Sequence, residues 1–190
     1  MERKQLIQIF LKKNQEINLS AIRDEEGVQI KHINDSLELT TFFQFPEGSH
    51  IVDIGTWSWF PLIPLALSFP QSHFTGIDSI KKKTLAVNSI LEEMEIHNAH
   101  VIRTRIEEYK EETFDFLTAR AVAYSDQLLK RCYHLVRKGG SFIFFKQKSL
   151  EEEEILKKSC KKYHLDIVKK HEYHLFDGDI DRIIYLLKKQ

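Results

Sequence analysis

Gly55 and Asp78 stand twenty-three positions apart, each closing an apolar run, IVDIG at 51–55 and HFTGID at 73–78. A glycine after a buried strand lets the backbone turn sharply and approach a ligand. An acid at the tip of the next strand, about 20 residues on, can accept both hydroxyls of a ribose. The pair therefore points to nucleoside binding. Asp53 lies just before the glycine and has two readings, a ligand contact or a brace for the turn's own backbone. The loop itself is unusual. Where such turns carry two or three glycines, GTWSWFPLIPLAL has one, followed by Trp57 and Trp59, the only tryptophans in the chain. Tryptophan resists the positive φ that glycine adopts freely. Its indole is also large enough to fill a nucleoside pocket or to stack on a base.

Further candidates sit where other strands should end. Arg105, Ile106 and Glu107 follow a third apolar run, Arg120 closes a fourth, and Lys146 closes a fifth. Ligands of such sheets bind beyond the carboxyl ends of the strands. Two acids and a glycine turn on one side, with Arg120 and Lys146 on the other, suit a cationic nucleoside-like cofactor facing an anionic substrate. A structural ion pair is the rival role for Arg120. His32 and Asp35 are three apart on one helical face, either a helix-stabilising pair or a contact to RNA or cofactor. HNAH (97–100) and HEYH (171–174) lack a third ligand, so no metal site is expected. Lys81, Lys82 and Lys83 read as a solvated turn, and Glu151–Glu154 as the acidic start of a helix.

The elements that must position these residues follow from hydrophobic spacing. Residues 3–45 read as helical, interrupted by the loop NLSAIRDEEG, in which Asp24 can cap the next helix. FPEGS at 45–49 breaks the pattern, dividing a helical extension (1–45) from a second unit (46–190). Strands are expected at 50–54, 73–78, 99–104, 114–119 and 140–146, and helices at 60–69, 80–95, 121–137 and 150–162. That alternation argues for a parallel sheet with helices on both faces. The last two apolar runs, LDIVKKHEYHL and DRIIYLLKK, are joined by FDGD and read as an antiparallel hairpin. The fold class expected is α/β, a Rossmann-like class I methyltransferase sheet, mostly parallel with a C-terminal antiparallel hairpin.

Bulk composition narrows the setting. At 190 residues and 42% hydrophobic, the chain can bury a full core. Its formal net charge is zero, so any nucleic-acid contact must use local patches. Cys132 and Cys160 form no metal or redox spacing, as in a reducing compartment. The charged N-terminus does not read as a signal peptide, and the longest apolar run, 60–70, is too short to span a bilayer. A soluble, cytoplasmic, monomeric protein without membrane contact is the expectation.

Taken together, NLSAIRDEEGVQIKHINDSL, DIGT..FP.IPLAL.FP, HFTGIDSIKKK, RIEEY, FDFLTARA and GGSFIFFK resemble, in order and spacing, the bacterial small-subunit rRNA methyltransferase G family, also called glucose-inhibited division protein B. The resemblance covers nearly the whole chain. It implies transfer of methyl from S-adenosylmethionine to N7 of a guanine in 16S rRNA, free or within the small ribosomal subunit. It also implies cofactor contacts at Gly55, Phe60, Asp78, Ile106, Glu107 and Arg120. Arg120, Lys146 and His32 are the substrate-binding candidates. Guanine N7 has a lone pair and no proton, so no general base is required. The family usually has glycine at the positions of Trp57, Trp59 and Leu62. The alternative is therefore a methyltransferase-like domain that binds RNA or the ribosome after losing its cofactor through Trp57 and Trp59. A nicotinamide-dependent dehydrogenase is a weaker third reading, because GTWSWF lacks the later glycines of GxGxxG.

Overall fold

The computed structural model describes residues 2–56 and 59–190. Seven strands form one sheet in the order β3-β2-β1-β4-β5-β7-β6. They are β1 (His50–Ile54), β2 (His73–Asp78), β3 (Ala99–Arg103), β4 (Phe114–Arg120), β5 (Val136–Gln147), β6 (Leu165–Leu175) and β7 (Ile180–Lys189). β1 to β5 run parallel, and β7 is antiparallel to both neighbours. Strand order reverses between β1 and β4, so the carboxyl ends there form the crevice where such sheets bind ligands.

Side-chain alternation builds two cores, one on each face. Along β5, Ile143 and Phe145 point into the first, whereas Phe142 and Phe144 point into the second. The first face is covered by α1 (Glu2–Ile17), α4 (Leu62–Ser68) and α5 (Lys81–Glu93), the second by α6 (Ser125–Cys132) and α7 (Leu150–Tyr163). Residues 2–45 share the first core. Leu6, Phe10, Val28, Ile33 and Phe45 join Phe60, Ile63 and Phe145 in one apolar cluster.

After α1 the chain bends, and Asp24 caps α2 (Glu25–Val28) by accepting from Gly27 N–H at 2.7 Å. Helix then continues through a π-helical turn, Gln29–Asn34, into α3 (Asp35–Leu37) and a 3₁₀ turn ending at Thr41. α7 is capped by Ser149, whose hydroxyl accepts from Glu152 N–H at 3.1 Å.

Several element boundaries differ from the expectation, most of all the start of β5 and both ends of α6, which stops at Cys132. β5 begins at Val136, not 140, because Val136 pairs with Phe114 before Phe116 pairs with Ser141; the RKGG stretch is a bulge inside the strand. α6 starts at Ser125, not 121, because Ala121 has φ +53°, which ends any helix there. Residues 121–124 instead form a loop at the end of β4. Among the described residues no helix is long and apolar enough to cross a membrane.

Candidate active site

The turn after β1 is built around Gly55. Its φ is +72°, and a Cβ there would lie 2.8 Å from Val122 Cγ2. Glycine is thus required by conformation and by space. Gly55→Ala is expected to lower stability by about 2 kcal/mol or more, from left-handed strain plus overpacking, as read by urea denaturation. An alanine variant as stable as the parent would show that the turn relaxes freely.

Asp53 braces this turn. Its carboxylate accepts from Thr118 Oγ1 at 2.7 Å and Thr56 Oγ1 at 3.0 Å, and Thr56 Oγ1 also lies 2.9 Å from the Asp53 carbonyl. Complete burial raises its pKa to about 7 despite the two hydroxyl donors. Asp53 sits inside the fold between β1, β4 and the turn.

A cleft of about 120 Å³ lies beyond the ends of β1 and β2, lined by Gly55, Asp78, Ser79, Thr104, Ile106 and Val122 among others. Asp78 Oδ1 accepts from Ile80 N–H at 2.8 Å, so Oδ2 is the oxygen it can offer a ligand. Arg131 also lines this cleft and is held by Glu107. The hydrogen bond from Arg131 holds the exposed Glu107 carboxyl below the usual carboxylate range.

A second cavity, about 600 Å³, opens beyond β4 and β5. Its walls include Val122, Tyr124, Lys146, Glu152 and Arg182, so Val122 is common to both spaces. Lys146 is mostly buried; its ammonium donates to the Ala123 carbonyl and pairs with Glu152 at 2.9 Å. Glu152 also accepts from Ser125 N–H at 3.2 Å and from the Ser125 hydroxyl. One buried acid therefore joins the end of β5 to the starts of α6 and α7. The sequence hides it in a run of four glutamates, although Ser149 three residues earlier is the cue of a capping box.

Arg120 and His32 lie in neither cavity. They belong to a buried polar network that ties the N-terminal segment to the sheet. Arg120 donates to Asp35 Oδ2 at 3.0 Å, to the Lys31 carbonyl at 2.8 Å and to the Phe60 carbonyl at 3.4 Å. Its Nη2 is 3.0 Å from His32 Nδ1. Arginine has no acceptor, so Nδ1 accepts and Nε2 carries the proton, which reaches Ser20 Oγ at 3.1 Å. Burial, together with Arg120, lowers the His32 pKa to about 3, leaving a neutral ring stacked on Phe60 with centroids 4.8 Å apart. Asp35 is also bridged by Arg182 at 3.0 and 3.1 Å and accepts from the Tyr173 hydroxyl at 2.5 Å. Burial opposes its ionisation, but Arg182 and Arg120 outweigh it and hold its pKa below the ordinary value. Nothing in the sequence pattern singled out Tyr173 or Arg182.

Of the residues proposed from sequence, the structure brings Gly55, Asp78 and Ile106 to the smaller cleft and Lys146 to the larger cavity. Glu107 reaches the cleft only through Arg131, and Phe60 packs in the core against Phe10 and His32. Trp57 lies outside the described residues. Trp59 is fully buried with φ +68°, edge-on to Phe10 at 4.9 Å, and lines neither cavity. The expectation that its indole fills a ligand pocket is thereby corrected: the ring is part of the core joining α1 to the loop. Its indole N–H is buried without a hydrogen-bond partner among the described residues.

A family model described as rRNA small subunit methyltransferase G matches residues 2–184. Ribosomal RNA small subunit methyltransferase G of Lysinibacillus sphaericus is 31% identical over 98% of this chain and 81% of its own. The protein of that name from Oceanobacillus iheyensis is 34% identical over 93% of this chain and 77% of its own. Among solved structures, a SAM dependent methyltransferase from Aquifex aeolicus superposes with a TM-score of 0.67, covering 93% of this chain and 97% of that one at 13% identity. A ribosomal protein L11 methylase from Lactobacillus delbrueckii subsp. bulgaricus gives 0.63 over 82% of this chain and 77% of that one, at 14% identity. At such identities the structural matches speak for the fold alone.

Proposed function

Since the chain belongs to the rRNA small subunit methyltransferase G family, we propose that it transfers methyl from S-adenosylmethionine to N7 of a guanine in 16S rRNA. The observation that carries this reading is the pair of spaces sharing Val122. One holds a glycine turn and a strand-tip acid; the other opens beside it at the ends of β4 and β5.

The residues present fit the cofactor. Gly55 has no side chain to obstruct its approach, Asp78 has an oxygen for a ribose diol, and Trp59 is turned into the core. A cleft of about 120 Å³ suits part of such a molecule, since whole-ligand pockets run to about 300–1,000 Å³. The remainder would extend past Val122 toward the larger cavity. Gly55, Asp78 and Ile106 would hold it, with Arg131, set by Glu107, on the same wall. When bound, the cofactor supplies an electrophilic methyl group.

The protein's part is positioning and exclusion of water. Tyr124, 45% exposed, offers a ring on which a purine can stack in the larger cavity. Lys146 can donate to guanine O6, the groove edge that lysine commonly reads. A guanine methylated at N7 is cationic, and Glu151 and Glu152 on the same wall favour that developing charge. Guanine N7 offers a lone pair and no proton, so these residues would orient the base toward the cofactor and none would act as a general base. Arg120 and His32 act from beneath, holding the N-terminal segment against the loop that carries Phe60.

Calorimetric titration with S-adenosylmethionine tests the reading. Saturable one-to-one binding is expected. Heats no larger than those of dilution would leave a family member that binds RNA without cofactor.

A further inference from the structure

The cations first considered for RNA, Arg120 and Lys146, are both buried and paired with acids. With zero net charge, an RNA-binding protein must present a cationic surface elsewhere. A third space, about 400 Å³, is lined by Ser79, Arg103, Thr104, Arg105 and Glu108, and shares Ser79, Thr104 and Arg105 with the smaller cleft. Lys81 and Lys82 begin α5, with Ile80 between them and Ser79, and are exposed, as are Arg103 and Arg105. Among the described residues, the acid bridge at this rim, Arg105 to Glu108, is 4.0 Å long with both partners open to solvent.

The lysines are misplaced for folding. Acids favour the first turn of a helix and bases the last, by about 0.3–1 kcal/mol each. α7 obeys this, with Glu151, Glu152 and Glu153 at its start and Lys161 and Lys162 at its end. α6 does too, with Asp126 first and Lys130 and Arg131 last. α5 reverses the pattern: its sequence is KKKTLAVNSILEE, and Ile80 at its N-cap offers no side-chain hydrogen bond. A local rule broken at both ends of one helix, beside a ligand cleft, marks a functional demand.

We propose that the rim formed by Lys81, Lys82, Arg103 and Arg105 grips the phosphate backbone of the RNA while the acceptor base enters the cavity at β4 and β5. This rests on the rRNA reading and deepens it. From β3 to β5 the sheet is four strand spacings wide, about 19 Å. That is roughly five or six steps of a stacked strand at about 3.4 Å each. One folded RNA can therefore span the cleft, contacting the rim with flanking phosphates.

The test is a salt titration of 16S rRNA binding by the full chain and by Lys81→Glu/Lys82→Glu/Arg103→Glu. Arg105 is left unchanged because it lines the cofactor cleft. The triple variant is expected to bind RNA at least tenfold more weakly. The slope of log K against log salt should fall by about 2, at about 0.7–0.9 per lost phosphate contact. Its affinity for S-adenosylmethionine should hold, and its melting temperature should stay level or rise because acids suit the first turn of α5. A structural role would move stability the other way. If charge reversal distorts the rim, Lys81→Gln/Lys82→Gln/Arg103→Gln gives the same reading with a smaller loss. Variants that match the parent in RNA affinity and salt slope would overturn the rim alone. A parent chain that binds cofactor yet no RNA would overturn the rRNA reading and the rim with it.

Discussion

Replacing Asp35 by alanine is expected to destabilise the protein by about 3–5 kcal/mol, the largest effect of any single polar substitution considered. One carboxylate neutralises Arg120 and Arg182 and accepts the Tyr173 hydroxyl, all in the interior. Its removal leaves two guanidiniums facing each other without their counter-charge, and α3 loses its ion pairs to the sheet. Urea unfolding of the purified variant checks this, with the midpoint falling and the slope unchanged. The network also predicts acid sensitivity. Because the folded pKa of Asp35 is depressed, its contribution is present above the unfolded value and is lost as pH falls through the folded one. His32 adds to this: with its folded pKa lowered from 6.5 to about 3, only the unfolded chain takes up a proton in that range, so stability falls progressively as pH drops below 6.5. A variant within 1 kcal/mol of the parent would mean that water or a neighbouring group replaces the carboxylate.

Asp78→Ala should weaken S-adenosylmethionine binding by roughly ten- to ten-thousand-fold with little change in stability. The size follows from losing one or two hydrogen bonds to a charged acceptor, about 1.5–3 kcal/mol each, at about 1.4 kcal/mol per tenfold. Stability is spared because, among the described residues, the side chain makes only the bond to Ile80 N–H. Asp78→Asn should fall between, since an amide oxygen accepts without the charge. Calorimetry on the three proteins separates these outcomes, and equal affinities would place the ribose elsewhere.

The glycine turn and the strand-tip acid were legible because each depends on local rules: apolar strand, φ above zero, acid at the tip. β1 and β2 occupy the residues expected for the same reason. The RKGG bulge in β5 was not legible, because glycines in a strand interior look like a turn until a partner strand fixes the register. Long-range polar pairing was hidden altogether. Arg120 meets Asp35 across 85 positions and Asp35 meets Arg182 across 147, and no spacing rule reaches that far. Trp59 misled for a related reason. Its type suggested a blocked pocket, but the direction of its indole depends on Phe10, which arrives from α1 to complete the core. The lysines read as a solvated turn instead open α5, two residues past Ser79, which lines the same space as Arg103 and Arg105.

The most direct measurement is mass spectrometry of nuclease-digested rRNA after incubating the purified protein with undermethylated small ribosomal subunits and methyl-labelled S-adenosylmethionine. The account predicts one labelled N7-methylguanine per 16S rRNA, lost with Asp78→Ala. No label in the rRNA, or label at a position other than guanine N7, would contradict it.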